Sequence, residues 1–266
     1  MKHTGIQTPD EDGILILGSG TCVPSLERSS SAALVTAESE NILIDIGRGT
    51  IRHLLEAGYR ITDIDAVFLT HFHVDHSSEL AEFLFALKYP VMNTTKNRLR
   101  LVGGTGIKSF FSNLNHTFEN HLDLEGFLEI TELDDRPGTP VNFENLAVSY
   151  DKPVHKEESR AFRFTFANGF SVVYSGDTDY SENLIRLSKD ADVLIADSAL
   201  PDGGKVPGHL TPSLAGEIAQ RAGVKTLVPT HFYPQCDGVD IQSQCRRSFS
   251  GEVYPARDFL KIPSFK

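Results

Sequence analysis

The hydrophobic positions of this chain fall into short runs, many of them stopped by Gly, Asp or His, with amphipathic stretches between them. Short apolar runs bounded by turn residues predict buried strands, here at 14–17, 32–36, 41–46, 66–69, 98–102, 127–132, 145–150, 193–196 and 225–229. Segment 161–167 alternates instead, with Phe162, Phe164 and Phe166 two apart, and Asn168-Gly169 turns it into a partner strand at 170–174. Helix-forming composition marks 50–57, 79–87, 107–114, 182–188 and 212–222, and a short helix is expected near 256–260. Gly58 stops the first helix, Ser77 or Ser78 is placed to cap the second, and Thr211 with Pro212 opens the fifth. Strand–helix units mixed with hairpins predict one α/β domain over 1–266, two sheets packed together with helices outside. No internal repeat or linker divides the chain.

One feature recurs along this pattern. His71, Asp177, Asp197 and His231 each follow directly on an apolar strand. Open α/β folds place their sites at such strand ends. The densest case is Ala66-Val-Phe-Leu-Thr-His71-Phe-His73-Val-Asp75-His76, where three histidines and an aspartate lie within six residues. His71 and His73, two apart, point the same way on extended backbone. Asp75 and His76 come after the chain has turned and approach a common centre from another side. Imidazole and carboxylate in this mixture suit Zn, Mn or Fe. A surface turn that merely collects histidines accounts poorly for such a cluster straight after a strand.

Composition narrows the classes. The 266 residues are 40% hydrophobic and 23% charged, ordinary values for a globular protein. No apolar run reaches the roughly 18 residues of a membrane span, and the polar first residues lack the core of a signal peptide. Cys22, Cys236 and Cys245 are too few and too scattered for a disulfide framework or a cysteine zinc site, so the cytoplasm is the expected compartment. The formal net charge of −11 disfavours a nucleic-acid partner. Arg98, Arg100 and Arg246-Arg247 read as solvated surface, and His3, His53, His116 and His121 as surface residues. The glycine pair Gly18-Ser-Gly20 is a weak phosphate-binding hint, since no Gly-x-Gly-x-x-Gly follows.

His71-x-His73-x-Asp75-His76 resembles the signature of the metallo-β-lactamase superfamily of metal-dependent hydrolases. The resemblance runs over most of the chain, because His155, Asp177 in Ser-Gly-Asp-Thr and His231 in Pro-Thr-His match its later ligands in order. It implies an αββα sandwich and two divalent metal ions, Zn2+ with Mn2+ or Fe as alternatives. By this likeness His71, His73 and His155 hold one ion, Asp75, His76 and His231 the other, and Asp177 bridges both. Paired cations lower the pKa of a shared water and take up charge on the reacting oxygens.

Within the superfamily, His209-Leu-Thr211 looks like the His-Ser-Thr motif of ribonuclease Z-like phosphodiesterases, whose histidine protonates the leaving alkoxide. Asp197 stands where that group has a glutamate orienting the histidine. The resemblance thus gives Asp75, Asp197 and His209 catalytic parts. The segment Pro24-Ser-Leu-Glu-Arg28-Ser29 is similar to the Pro-x-Lys-x-Arg-Asn opening of ribonuclease Z. Arg28 is its candidate phosphate contact, while Leu26 replaces the lysine and Ser29 the asparagine. The stretch from His155 to Asp177 is barely a hairpin, so the arm that grips transfer RNA in ribonuclease Z is absent there. The resemblance therefore implies a hydrolase of small phosphodiesters or related esters, with no membrane partner and large RNA disfavoured. Homodimers are common in the group. The rival readings are a transfer-RNA 3′-processing endonuclease, a lactonase, thioesterase or sulfatase of the same superfamily, and a non-catalytic metal-binding module.

Overall fold

The computed structural model describes residues 12–38, 40–91, 98–124, 126–137 and 141–264, so the expectation for His3 lies outside the described residues. The first half runs β1 (Gly13–Gly18), β2 (Ala32–Ala37), β3 (Glu40–Ile44), α1 (Thr50–Glu56), β4 (Ala66–Phe68), α2 (Val74–Ser77), α3 (Leu80–Val91), β5 (Leu99–Gly103), α4 (Ile107–Thr117) and β6 (Leu128–Glu132). The second runs β7 (Val141–Asn142), β8 (Leu146–Asp151), β9 (Ala161–Phe166), β10 (Ser171–Tyr174), α5 (Glu182–Leu187), β11 (Val193–Asp197), α6 (Pro212–Ala222), β12 (Thr226–Thr230), α7 (Ile241–Cys245), β13 (Glu252–Val253) and β14 (Lys261–Pro263).

Two seven-stranded sheets result, in the orders β14-β1-β2-β3-β4-β5-β6 and β13-β12-β11-β10-β9-β8-β7. Each combines antiparallel hairpins with a parallel half, β3 to β6 in one and β10 to β13 in the other. Period-two alternation decides which face each side chain takes. Ile14, Ile16, Val35, Ile42, Ile44 and Phe68 turn inward and join Val148, Phe162 and Phe164 between the sheets. Phe68 meets the Phe162 ring edge-on at 5.2 Å, a favoured aromatic geometry. Leu17, Leu34, Leu43, Val67 and Leu101 turn outward and are covered by Leu54, Leu80, Phe83, Leu84 and Ile107 of the helices. This is the αββα sandwich expected from the sequence.

Several local expectations change. Ser77 caps nothing at a helix start, since its hydroxyl donates back to the carbonyls of Phe72 and His73. Thr211 sits at the N-cap of α6 without a side-chain cap bond. No helix forms at 256–260; there the Asp258 carboxylate instead accepts from the Ser19 amide, the Ser19 hydroxyl and the Ser29 amide. His53 is half-buried, with Nδ1 2.6 Å from the Leu17 carbonyl, whereas His116 and His121 are exposed as expected. Arg246 and Arg247 are exposed as expected, Arg247 within 2.7 Å of Asp202. Among the described residues no helix is long and apolar enough to cross a membrane.

Candidate metal centre

The parallel halves of both sheets end at one edge, and the chemistry gathers there. His71 follows β4 with its imidazole fully buried. His73 is the N-cap residue of α2, and this one-turn helix carries Asp75 and His76. His155 lies beyond β8, beside an isolated bridge between Val154 and Asp179. Asp177 follows β10, Asp197 ends β11, and His231 follows β12 with φ 63°. Gly176 makes the approach possible: at φ 58°, a Cβ there would lie 2.7 Å from the Thr70 Cβ.

The donor atoms form two groups that share Asp177. His73 Nδ1 lies 2.9 Å from His71 Nε2 and 3.3 Å from His155 Nε2. Asp177 Oδ2 faces this group, 3.6 Å from His71 Nε2 and 3.9 Å from His155 Nε2. On the other side, the Nε2 atoms of His76 and His231 approach to 3.4 Å, and Asp177 Oδ1 is 3.2 Å from each. Asp75 Oδ2 completes that group, 3.5 Å from His231 Nε2 and 3.8 Å from His76 Nε2.

This set fits divalent cations. Burial, reinforced by neighbouring histidines, holds His71, His73 and His155 below the usual imidazole range, against the pull of Asp177. Neutral imidazoles then point lone pairs at one another, an arrangement that a cation between them relieves. Asp177 Oδ1 is also buried without a hydrogen bond, a cost that a ligated ion removes. His71, His73, His155 and Asp177 are close enough together to hold one ion, and so are Asp75, His76 and His231.

The imidazoles are aimed from behind. His76 Nδ1 is 2.8 Å from Asp45 Oδ2, and His155 Nδ1 is 3.0 Å from the Gly208 carbonyl. With these nitrogens as donors, each Nε2 is left free to ligate. Thr70 donates its hydroxyl to Asp45 Oδ2 at 2.9 Å and lies 3.0 Å from His71 Nδ1. Although burial opposes its charge, His76 is raised well above 6.5 by Asp177 and Asp45.

Beside the cluster, His209 Nδ1 lies 2.9 Å from Asp197 Oδ2, and its ring stacks on His231 at 5.4 Å and 9°. Burial disfavours a charged His209, but the hydrogen bond and charge of Asp197 outweigh it and raise the imidazole. Burial raises the Asp197 carboxyl in turn, against the pull of His209. His209, Asp197, Asp177 and His231 could also group around an ion. The Asp197 oxygens are already engaged, however, Oδ2 by His209 and the Thr178 amide and Oδ1 by the Ala199 amide.

Arg28 is held by the chain itself. Its Nη1 donates to the Ser19 hydroxyl and the Ala256 carbonyl, and its guanidinium lies 4.9 Å from the centre of the Phe232 ring. Asp45, Thr70 and Gly208 are the site residues that the sequence reading did not single out. For Asp45 a signal existed, because it directly follows β3 just as the recognised residues follow their strands.

The chain is 26% identical to a ribonuclease Z of Mycobacterium bovis, with 94% of this chain and 97% of that one aligned. It is 25% identical to the Bacillus subtilis protein described as "Probable metallo-hydrolase YhfI", covering 92% and 96%. The crystal structure of YhfI superposes with a TM-score of 0.82 over 95% of this chain and 99% of that one, at 23% identity. Human tRNase Z, short form, gives 0.78 with the same coverage and identity. Fold and relatives together define a metal-dependent hydrolase of the metallo-β-lactamase superfamily, ribonuclease Z-like and without a long insertion. Within that class, the chain belongs to the family described as Anti-Pycsar protein Apyc1, whose model matches residues 13–211.

Proposed function

We propose that this protein is a dinuclear phosphodiesterase for small substrates, with Zn2+ at both metal positions and His209 as general acid. The observation that carries the reading is the His209–Asp197 pair, 2.9 Å apart, beside a donor set that Asp177 divides in two. His71, His73 and His155 would hold one ion and Asp75, His76 and His231 the other, with Asp177 between them. Bound there, the ions would supply the positive charge that activates water and stabilises phosphoryl oxygens.

The chain's own residues do the rest. Asp197 accepts from His209 Nδ1, which leaves Nε2 as the atom that carries a transferable proton. A histidine held charged by a buried carboxylate delivers that proton to a departing alkoxide, a contribution of ~10²–10⁴-fold. Neutral His71, His73 and His155 keep their lone pairs for ligation.

Metal-loaded protein assayed on bis(p-nitrophenyl) phosphate, cyclic nucleotides, lactones and thioesters tests the reading. Hydrolysis of the diesters is expected, and activity confined to lactones or thioesters overturns it. His209→Ala is expected to keep its metal and lose ~10²-fold or more in kcat on alkoxide-releasing diesters; loss of metal instead would reassign His209 as a ligand. A transfer-RNA endonuclease is the second reading, favoured by the relatives named ribonuclease Z. Cleavage of a transfer-RNA precursor at low enzyme concentration would establish it.

A further inference from the structure

The loop over 201–209 delivers His209, and one of its attachments beside the metal cluster is a side chain outside the ligand set. Asp179, two residues beyond Asp177, accepts the Gly208 amide on Oδ2 at 2.9 Å and the Lys205 ammonium on the same oxygen at 2.8 Å. Its own backbone is fixed, because its amide donates to the Val154 carbonyl at 2.7 Å and its carbonyl accepts the Thr178 hydroxyl at 2.7 Å. Oδ1 takes the Tyr180 amide at 2.8 Å.

Gly208 joins the two halves of the site. Its carbonyl takes His155 Nδ1 at 3.0 Å, and His209 is the next residue. A Cβ on Gly208 would stand 3.1 Å from His155 Nδ1, and its φ of 85° suits glycine. The backbone therefore presses close to the imidazole, and a small displacement of Gly208 alters both neighbours. Asp197 fixes the His209 ring through Nδ1, the nitrogen next to Cγ, and Asp179 holds the amide of the residue before it.

We propose that Asp179 is a positioning residue that aims His209 and His155 together by holding the backbone of Gly208 between them. This rests on His209 acting as the general acid. The side chain touches neither substrate nor ion and works through the Gly208 peptide. Lys205 adds a second tether from the same loop, and its charge assists the bond.

The test compares full-length, zinc-loaded wild type, Asp179→Ala and Asp179→Asn on bis(p-nitrophenyl) phosphate and on a 3′,5′-cyclic nucleotide, which expels an alkoxide. Misplacing an acid costs on the order of 10²-fold, so Asp179→Ala is expected to lose about that on the cyclic nucleotide. The loss on the p-nitrophenyl ester, whose leaving group needs no proton, should be roughly ten times smaller. Asp179→Asn keeps an oxygen acceptor for Gly208 but turns its NH2 toward the Tyr180 amide, so it should restore part of the difference. Equal losses on both substrates, or no rescue by asparagine, overturn the proposal. If Asp179→Ala does not fold, Asp179→Ser, whose hydroxyl is too short for Gly208, carries the same expectation.

Imidazole 15N–1H spectra give a readout independent of turnover. The His155 Nδ1–H signal is expected in wild type and in Asp179→Asn and is expected to broaden or vanish in Asp179→Ala; an unchanged signal overturns the proposal. A wild type that cleaves neither diester refutes the phosphodiesterase reading, and the spectra then decide the role of Asp179 alone.

Discussion

Asp45 shows what a single residue can carry without drawing attention in the sequence. It is fully buried at φ 58°, accepts the Thr70 amide on Oδ1, and on Oδ2 takes both the Thr70 hydroxyl and His76 Nδ1. A left-handed aspartate is tolerated better than most residues there, yet the conformation still costs energy that its three bonds must offset. Asparagine at this position exchanges one accepting oxygen for an NH2 group and leaves Thr70 or His76 unmatched. Asp45→Asn is therefore expected to lower metal affinity by ~10–100-fold, the usual cost of removing a carboxylate behind a ligating histidine. Competition with a chromogenic chelator measures it, and unchanged affinity would confine Asp45 to the fold. The residues proposed as ligands were legible as a set because the first four are tightly spaced and their type is unusual. Asp45 was not, because one aspartate at a strand end also occurs wherever a chain merely turns. Arg28 was legible only through its place in a recognisable motif, and its Nη1 bonds run to Ser19 and Ala256.

Elements with strong local signals came through almost unchanged. Helix α6 spans the expected residues because Pro212 starts it and Gly223, at φ 70°, ends it. The hairpin at Asn168-Gly169 closes β9 onto β10 as its turn residues dictate. Elements set by distant partners did not. The segment over 256–260 has helix-compatible composition, but Asp258 is recruited by Ser19 and Ser29 across more than 200 residues, and β14 then pairs with β1. Helix α1 depends on the same kind of long-range help. Its N-cap, Gly49, offers no side chain, and the orphan amides of Gly49 and Ile51 are instead met by the carboxylate of Glu79, ahead of α3. Glu79 thus caps one helix from the start of another and joins the negative charge to the positive end of α1. Glu79→Ala is expected to cost ~1–2 kcal/mol in urea unfolding at neutral pH, while metal content stays at the wild-type level. A cost below a few tenths would mean that water replaces the carboxylate.

At the scale of the whole molecule, charge bears on the proposed preference for a small substrate. The net charge is −11, and many of the cations that could oppose it are already paired: Arg186 with Asp151, Arg221 with Glu182, Lys225 with Asp192 and Arg247 with Asp202. Leu26 stands fully exposed where the resembling motif has a lysine. A net-acidic surface of this kind repels a polyanion at long range. A small diester would need no cationic surface, because its single charge would be met inside the proposed site. The two readings of function therefore separate by salt. For the small-substrate reading, kcat/KM on bis(p-nitrophenyl) phosphate should change less than about threefold between 50 and 200 mM salt, since site charges lie within a Debye length of ~8–10 Å. Binding of a transfer-RNA precursor over the same range should be weak at both ends, with a slope equivalent to fewer than about two phosphate contacts. A transfer-RNA enzyme would behave otherwise. Six to ten neutralised phosphates would make affinity fall by ~10³–10⁵ across that interval, from tight binding at the low end. Measuring that steep slope would mean that local cations outweigh the net charge, and the substrate would then be RNA.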